Sequence, residues 1–472
     1  MRPIHPEPTG LTSCPADILY SIFELLSPAE FHALCLVHKS VCGMAARLLY
    51  QNIQMVWERE NPFDPPPVTK LLRTLVSSPD LAAHVRTFHL GGKLASHASL
   101  VRTIRAVPIF PTELNASISF IQTTGVPYSD LWIHDLQQGK LDAVVALLLA
   151  QLPNLKSLHL GPAFTQRSEI IGMVLRSAIF ETVDYGLPDF RHLRDVTYLL
   201  KEGHDEARDK NVKNTADVLP FFYLSNIERI SVFLESPLAI TWPQPKLPVV
   251  PSSLTSLVLN SVRENYLMNL LSITPYLKSL RWTWFYDYGL LDAVNLPIID
   301  LDQIGDAISC LKNTLTDLTI IGEVQLGGND INLPGVKTDG SLSAMVTMDN
   351  LKTLQVPWAF LVGFALDTTK RLQDVLPRNL EHLTITYDLC IQNEEHMEPD
   401  WPEFEWDDHA MLDVLKPWLE DRTFTPNLCG VSLGLVRYET DEYDWEPEMR
   451  HQLAELGAQA GVVFDIIFTD EM

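Results

Sequence analysis

The chain has 472 residues, 46% hydrophobic and 20% charged, a composition that excludes an intrinsically disordered protein. A formal net charge of −25 (35 Lys+Arg against 60 Asp+Glu) opposes phosphate backbones, so nucleic acid is not an expected partner; the acidity keeps a leucine-rich protein soluble and could also favour a basic protein client. Six scattered cysteines without a CxxC pair suit reduced thiols, no apolar leader opens the sequence, and the longest apolar run, Ala143–Ala150, is far short of the roughly 20 residues of a membrane span, so the expected setting is cytoplasmic or nuclear, with no membrane partner.

Residues 1–10 read as a flexible N-terminus. From 11 to 57 the pattern is helical. Pro15 suits a first helical turn and Asp17 complements the positive end of that helix. Ile18, Leu19, Ile22, Phe23, Leu25 and Leu26 then recur at helical spacing. Ser27-Pro28-Ala29-Glu30 is a capping box with Pro at the first helical position, which starts a second helix through Phe31, Leu34, Leu36 and Val37. A third helix is expected from about Val41 to Tyr50, with Met44, Leu48 and Leu49 on its apolar face. Three short helices leave too small a core for all this apolar surface, and exposed apolar surface points to a partner.

These residues resemble the F-box family. Pro15, Asp17, Ile18, Leu19, Ile22, Phe23, Leu26, Glu30, Phe31, Leu34, Val37 and Lys39 match its pattern without a gap, while Cys14, His38 and Val41 depart from it. Leu48-Leu49-Tyr50 followed by Ile53 is similar to the form common in fungal F-box domain-containing proteins. The resemblance implies that Pro15, Ile18, Leu19, Ile22, Leu26, Leu34, Val37 and Lys39 face a Skp-type adaptor, and through it a cullin–RING ubiquitin ligase.

Residues 58–67, with four prolines, read as a linker. From 68 to 472 a pattern L-x-x-L-x-L returns ten times, from Val85/Phe88/Leu90 and Leu155/Leu158/Leu160 to Leu380/Leu383/Ile385 and Leu428/Val431/Leu433. Several copies are announced by Pro or Asn, as in LPNLKSLHL and TPNLCGVSL. Helical periodicity occupies the intervals 136–152, 166–180, 262–273, 300–313, 408–420 and 447–459, and a final strand is expected over Val462–Phe468. Strand and helix in alternation give stacked units and a parallel sheet. The fold class is therefore an α/β repeat: a three-helix F-box followed by an irregular leucine-rich-repeat-like solenoid with a curved parallel sheet. Copies lie 23 to 70 residues apart, wider than the roughly 20–29 of regular leucine-rich repeats. Ala163, Val262 and Glu323 stand where those repeats place an asparagine, so no asparagine ladder is expected, and the longest interval has room for a further unit around Ile118–Ile121.

Period two turns the residues between the leucines outward. The candidate client-binding residues are His159, Arg281, Thr283, Gln355, His382 and Thr384, with Ser231, Val258, Thr319 and Thr386 on the same face. Gly430-Val-Ser-Leu-Gly434 matches a nucleophile elbow, but Ser432 falls inside a strand where that chemistry needs a strand-to-helix turn. The acidic insertion near 391–410 and the Cys35-x-x-His38 pair fit no metal template. No catalytic residue, metal or cofactor is expected. The sequence thus suggests a non-catalytic substrate receptor of a ubiquitin ligase, with an interaction scaffold acting outside any ligase as the alternative.

Overall fold

The structure is a computed structural model. It describes residues 14–37, 39–57, 68–92, 109, 111–165, 168–181, 183–199, 215–234, 240, 242, 251, 253–288, 293–325, 335–366, 368–390, 401–436, 445 and 447–469. The N-terminal 1–10 segment, the 58–67 linker and the first half of the acidic insertion lie outside these residues. The chain divides into two compact units, Met1–Lys201 and Glu202–Met472.

The first unit begins with three helices, α1 (Ala16–Phe23), α2 (Pro28–Val37) and α3 (Lys39–Gln51). The capping box forms as its residue types dictate: the Ser27 N–H donates to Glu30 Oε2 at 2.7 Å, and the Glu30 N–H donates back to Ser27 Oγ at 3.4 Å. These bonds to Ser27 hold the Glu30 carboxyl below its usual range. Leu19, Phe23, Phe31, Val41 and Ala45 form the small core of the trio.

The helices pass directly into a strand. Gln51 ends α3 and β1 (Asn52–Val56) begins at the next residue. It runs parallel to β2 (Thr87–Gly91), pairing Ile53 with Phe88. Residues 52–56, grouped by their sequence with the helical segment 11–57, thus belong to the sheet. Their short mixed run, NIQMV, lacks the leucine pattern that marks the other strands. β3 (Ser157–Leu160) and β4 (Asp195–Tyr198) continue the parallel order β1-β2-β3-β4. The apolar run of the sequence is here a packed core helix: in Leu141–Leu149 every residue but Asp142 is buried. That carboxylate accepts from the N–H groups of Glu169, Ile170 and Ile171 at 2.9, 2.6 and 3.1 Å, closing the N-terminus of the helix Ile170–Ile179. The further unit expected around Ile118–Ile121 is instead part of the helix Pro111–Thr124, whose Ser117, Ile121 and Thr124 recur at helical spacing as its buried face.

Among the described residues the second unit holds eight parallel strands in one sheet: β5 (Arg229–Phe233), β6 (Ser256–Asn260), β7 (Ser279–Asp287), β9 (Asp317–Gln325), β11 (Thr353–Pro357), β12 (His382–Thr386), β13 (Gly430–Val436) and β14 (Val463–Thr469). Two three-residue strands, β8 (Ile298–Asp300) and β10 (Lys337–Asp339), pair apart from it. All ten leucine-pattern copies are strands, and the strand expected near the C-terminus is β14. The register is uniform: Leu257, Leu280 and Leu318 align across β6, β7 and β9, as Leu354, Leu383 and Val431 do across β11, β12 and β13. Each is almost fully buried, and such burial contributes about 1.5–3 kcal/mol per side chain.

No ladder is expected after the last leucine of each unit; a polar ladder, largely of asparagine, lies instead ahead of the strands. The polar residue just before the first leucine of a unit donates to the carbonyl two residues before the first leucine of the preceding unit. Asn154 bonds Ala83 at 2.9 Å, Ser253 bonds Ser225 at 3.3 Å, and Thr314 bonds Pro275 at 3.0 Å. Asn350 bonds Asn313 at 2.8 Å, Asn379 bonds Asp349 at 2.9 Å, and Asn427 Nδ2 donates to Asn379 Oδ1 at 3.2 Å.

The helix before β14, Pro447–Ala460, ends in a Schellman motif. Val462 N–H donates to Gly457 O at 2.8 Å and Gly461 N–H to Ala458 O at 3.3 Å. Gly461 takes φ +67°, a conformation cheap for glycine alone.

Candidate functional site

Two surfaces stand out, one in each unit. The first is built on α1. Leu19 and Phe23 point into the trio, whereas Ile18 and Ile22, at i and i+4, lie on the other face, 51% and 38% exposed, and Leu25, in the turn after the helix, is 86% exposed. Pro15 precedes them and is exposed. At the end of α2, Leu36 and Val37 are exposed as well, and Lys39 opens α3 in solvent. Leu26 and Leu34 are half-buried against the core.

Seven of the eight residues expected to face an adaptor therefore keep exposed or half-exposed surface. Leu19 does not. It is 3% exposed and belongs to the core, because it shares the α1 stripe of Phe23. Leu25 and Leu36 join the exposed set. Their signal lay in the sequence as apolar residues on the wrong stripe for an internal core.

The second surface is the outward face of the eight-stranded sheet. Parallel register aligns Ser231, Val258, Arg281 and Thr319 in one row, and Thr319 is followed by Gln355, Thr384, Ser432 and Asp465. Arg281, Gln355 and Thr384 are thus brought together in order. His382 lies one row earlier, beside Thr353 and Gly430. Thr283 is buried and donates to Asn260 Oδ1 at 3.2 Å, so it is withdrawn from the face; Thr386 is buried too. Ser432 sits in mid-strand on this row and not on a turn.

A residue the pattern did not single out is Asp388, just past β12. It accepts from the Gly322 N–H at 3.0 Å. Burial pushes its carboxyl up, against that donor and the nearby Arg281 guanidinium. In the second half of the acidic insertion, Trp406 donates to Gly363 O at 2.9 Å and packs edge-on to Trp358, while Lys337 lies over the Trp401 ring.

His159 belongs to the other unit. Its ring stacks on His89, centroids 3.9 Å apart and planes 12° from parallel. Burial and the facing His89 bring the His159 ring down to about 4, and burial lowers His89. Among the described residues no group of three His, Cys, Asp or Glu side chains is placed to hold a metal ion, and no helix is long and apolar enough to cross a membrane.

No family model matches the chain, and no curated protein matches it.

Proposed function

We propose that the chain is an F-box-type substrate receptor, which docks a Skp-type adaptor through α1 and α2 and holds a client protein on a leucine-rich-repeat-like sheet. The observation that carries this reading is the two-sided α1. One stripe supplies the core of the trio and the other leaves Ile18 and Ile22 in solvent, with Leu25 in the turn after it and Leu36 and Val37 at the end of the next helix also exposed. A trio of this size gains nothing from a second apolar face unless a partner covers it. The outward row of the sheet supports the client role, since it offers polar side chains at regular spacing on a scaffold fixed by buried leucines. In a ligase such a chain contributes proximity and no reacting group.

The test is co-purification of the full chain with a Skp-type adaptor, beside the variant Ile18→Asp. A complex with the parent and none with the variant supports the reading, because the variant sets a charge in a desolvated contact. A well-folded parent that binds no adaptor overturns it and leaves an interaction scaffold.

A further inference from the structure

Among the described residues, the last strand of the second unit is the edge of its sheet. Val463 N–H donates to Cys429 O at 2.9 Å, so the backbone groups of Val463, Asp465 and Ile467 turn toward β13. Alternation along the strand turns those of Phe464, Ile466 and Phe468 the other way, where no strand lies among the described residues. Natural sheet edges are blunted by lysine, proline, a bulge or shortness. The seven residues VFDIIFT contain no lysine and no proline, and they pair with β13 in continuous register.

The outward side chains of this edge alternate in a particular way. Val463 and Ile467 are 64% and 45% exposed, with the exposed Asp465 between them. Exposed apolar side chains beside backbone donors and acceptors that no described strand takes up form a template for an added strand. The central carboxylate selects its chemistry, and so does the net charge of −25. A second copy of the chain would bring two such charges together and set Asp465 near its own twin.

We propose that β14 binds an extended segment of a partner protein as an additional strand, one whose residues facing Val463, Asp465 and Ile467 are apolar, basic and apolar. This does not rest on the adaptor reading, which concerns the other unit.

The test uses the full chain and a capped, dye-labelled peptide of seven residues, the length of β14, with threonine alternating with valine, lysine and valine. Fluorescence anisotropy is expected to show saturable binding, about tenfold weaker when glutamate replaces the lysine. Asp465→Lys is expected to reverse that preference. Ile466→Pro is expected to abolish binding, because it removes an outward N–H and spares the bonds to β13. Should that variant not fold, a peptide N-methylated at the amides facing β14 applies the same block to the parent chain. A Kd weaker than about 1 mM, equal affinity for the lysine and glutamate peptides, or binding that survives the backbone block overturns the proposal. So does a dimer in sedimentation that Ile466→Pro dissolves, which would give the edge to a second copy.

Discussion

Arg263 and Glu264, adjacent in sequence, form a two-pronged ion pair inside the protein. Arg263 Nε and Nη2 each donate to a Glu264 oxygen at 2.9 Å, and both side chains are buried. The guanidinium also donates to the carbonyls of Leu296 and Ile298 at 2.8 and 2.9 Å, and lies 4.7 Å from the Trp284 ring centroid. Trp284 Nε1 donates to Glu264 Oε2 at 3.0 Å. The pair therefore ties the helix Glu264–Leu271 to β7 and to the chain entering β8. Arg263→Met leaves the carboxylate buried without its counter-charge and is expected to lower unfolding free energy by about 3–5 kcal/mol. Arg263→Met/Glu264→Met should recover much of that loss. Urea denaturation of the two variants checks both statements, and a single variant as stable as the parent would refute the first.

The polar ladder ahead of the strands makes a smaller, cleaner prediction. Asn379 links two of its rungs, donating to Asp349 O and accepting from Asn427. Asn379→Ala should reduce stability by about 1 kcal/mol for the lost bonds. A double-mutant cycle with Asn427→Ala should show coupling, since the two side chains bond each other. Additive effects would count against the ladder.

The stacked histidines make stability depend on pH with a definite sign. Folding lowers His159 from an ordinary 6.5 to about 4, so the folded chain favours the neutral ring. Its contribution is complete above pH 6.5 and is lost as pH falls toward 4. Asp142 acts the other way: burial pushes its carboxyl up to about 6 despite three donors that favour the ionised form, so its contribution grows as pH falls. The comparison that isolates the ring is parent against His159→Phe, which keeps a flat partner for His89. Melting temperatures of the two should diverge between pH 6.5 and 4, with the parent falling faster. Parallel curves would remove the histidine pair as the cause.

The two stripes of α1 separate folding from docking. Leu19→Asp places a charge in the trio's core and should unfold α1–α3, visible as lost helical circular dichroism. Ile18→Asp, one residue away and half-exposed, should leave the helical signal intact. Equal damage from both would mean that Ile18 is a core residue after all.

Much of this fold was legible because burial is strict. Each L-x-x-L-x-L copy became a strand, since a strand covered by neighbours on both sides tolerates little besides aliphatic residues at its inward positions. Each of the six helical intervals contains a helix for the same reason, although 136–152 straddles the turn at 138–140 between two helices. What escaped was structure with a weaker apolar signature. β1, β8 and β10 are short and lack the pattern. The ladder was sought after the last leucine, whereas the asparagines that form it had been visible before the first, in LPNLKSLHL and TPNLCGVSL. The site was legible as a list of apolar and outward positions. Its sorting was not, because adjacent positions such as Ile18 and Leu19 differ only in which side of α1 they occupy. Thr283 likewise met a neighbouring Asn260 that no spacing rule reveals.

The unbroken passage from α3 into β1 sets a rotational phase. A helix turns by about 100° per residue, and Gln51 is followed by the first sheet residue with no joint between them. Ile53 is locked opposite Phe88, and the Arg86 N–H donates to Gln51 O at 2.8 Å, so the strand cannot slip to absorb a change. One residue added within the last turn of α3 would swing α1 and α2 about the helix axis by roughly a quarter turn. Whatever docks on those helices would then face a different direction relative to β1–β4, with every contact residue still present.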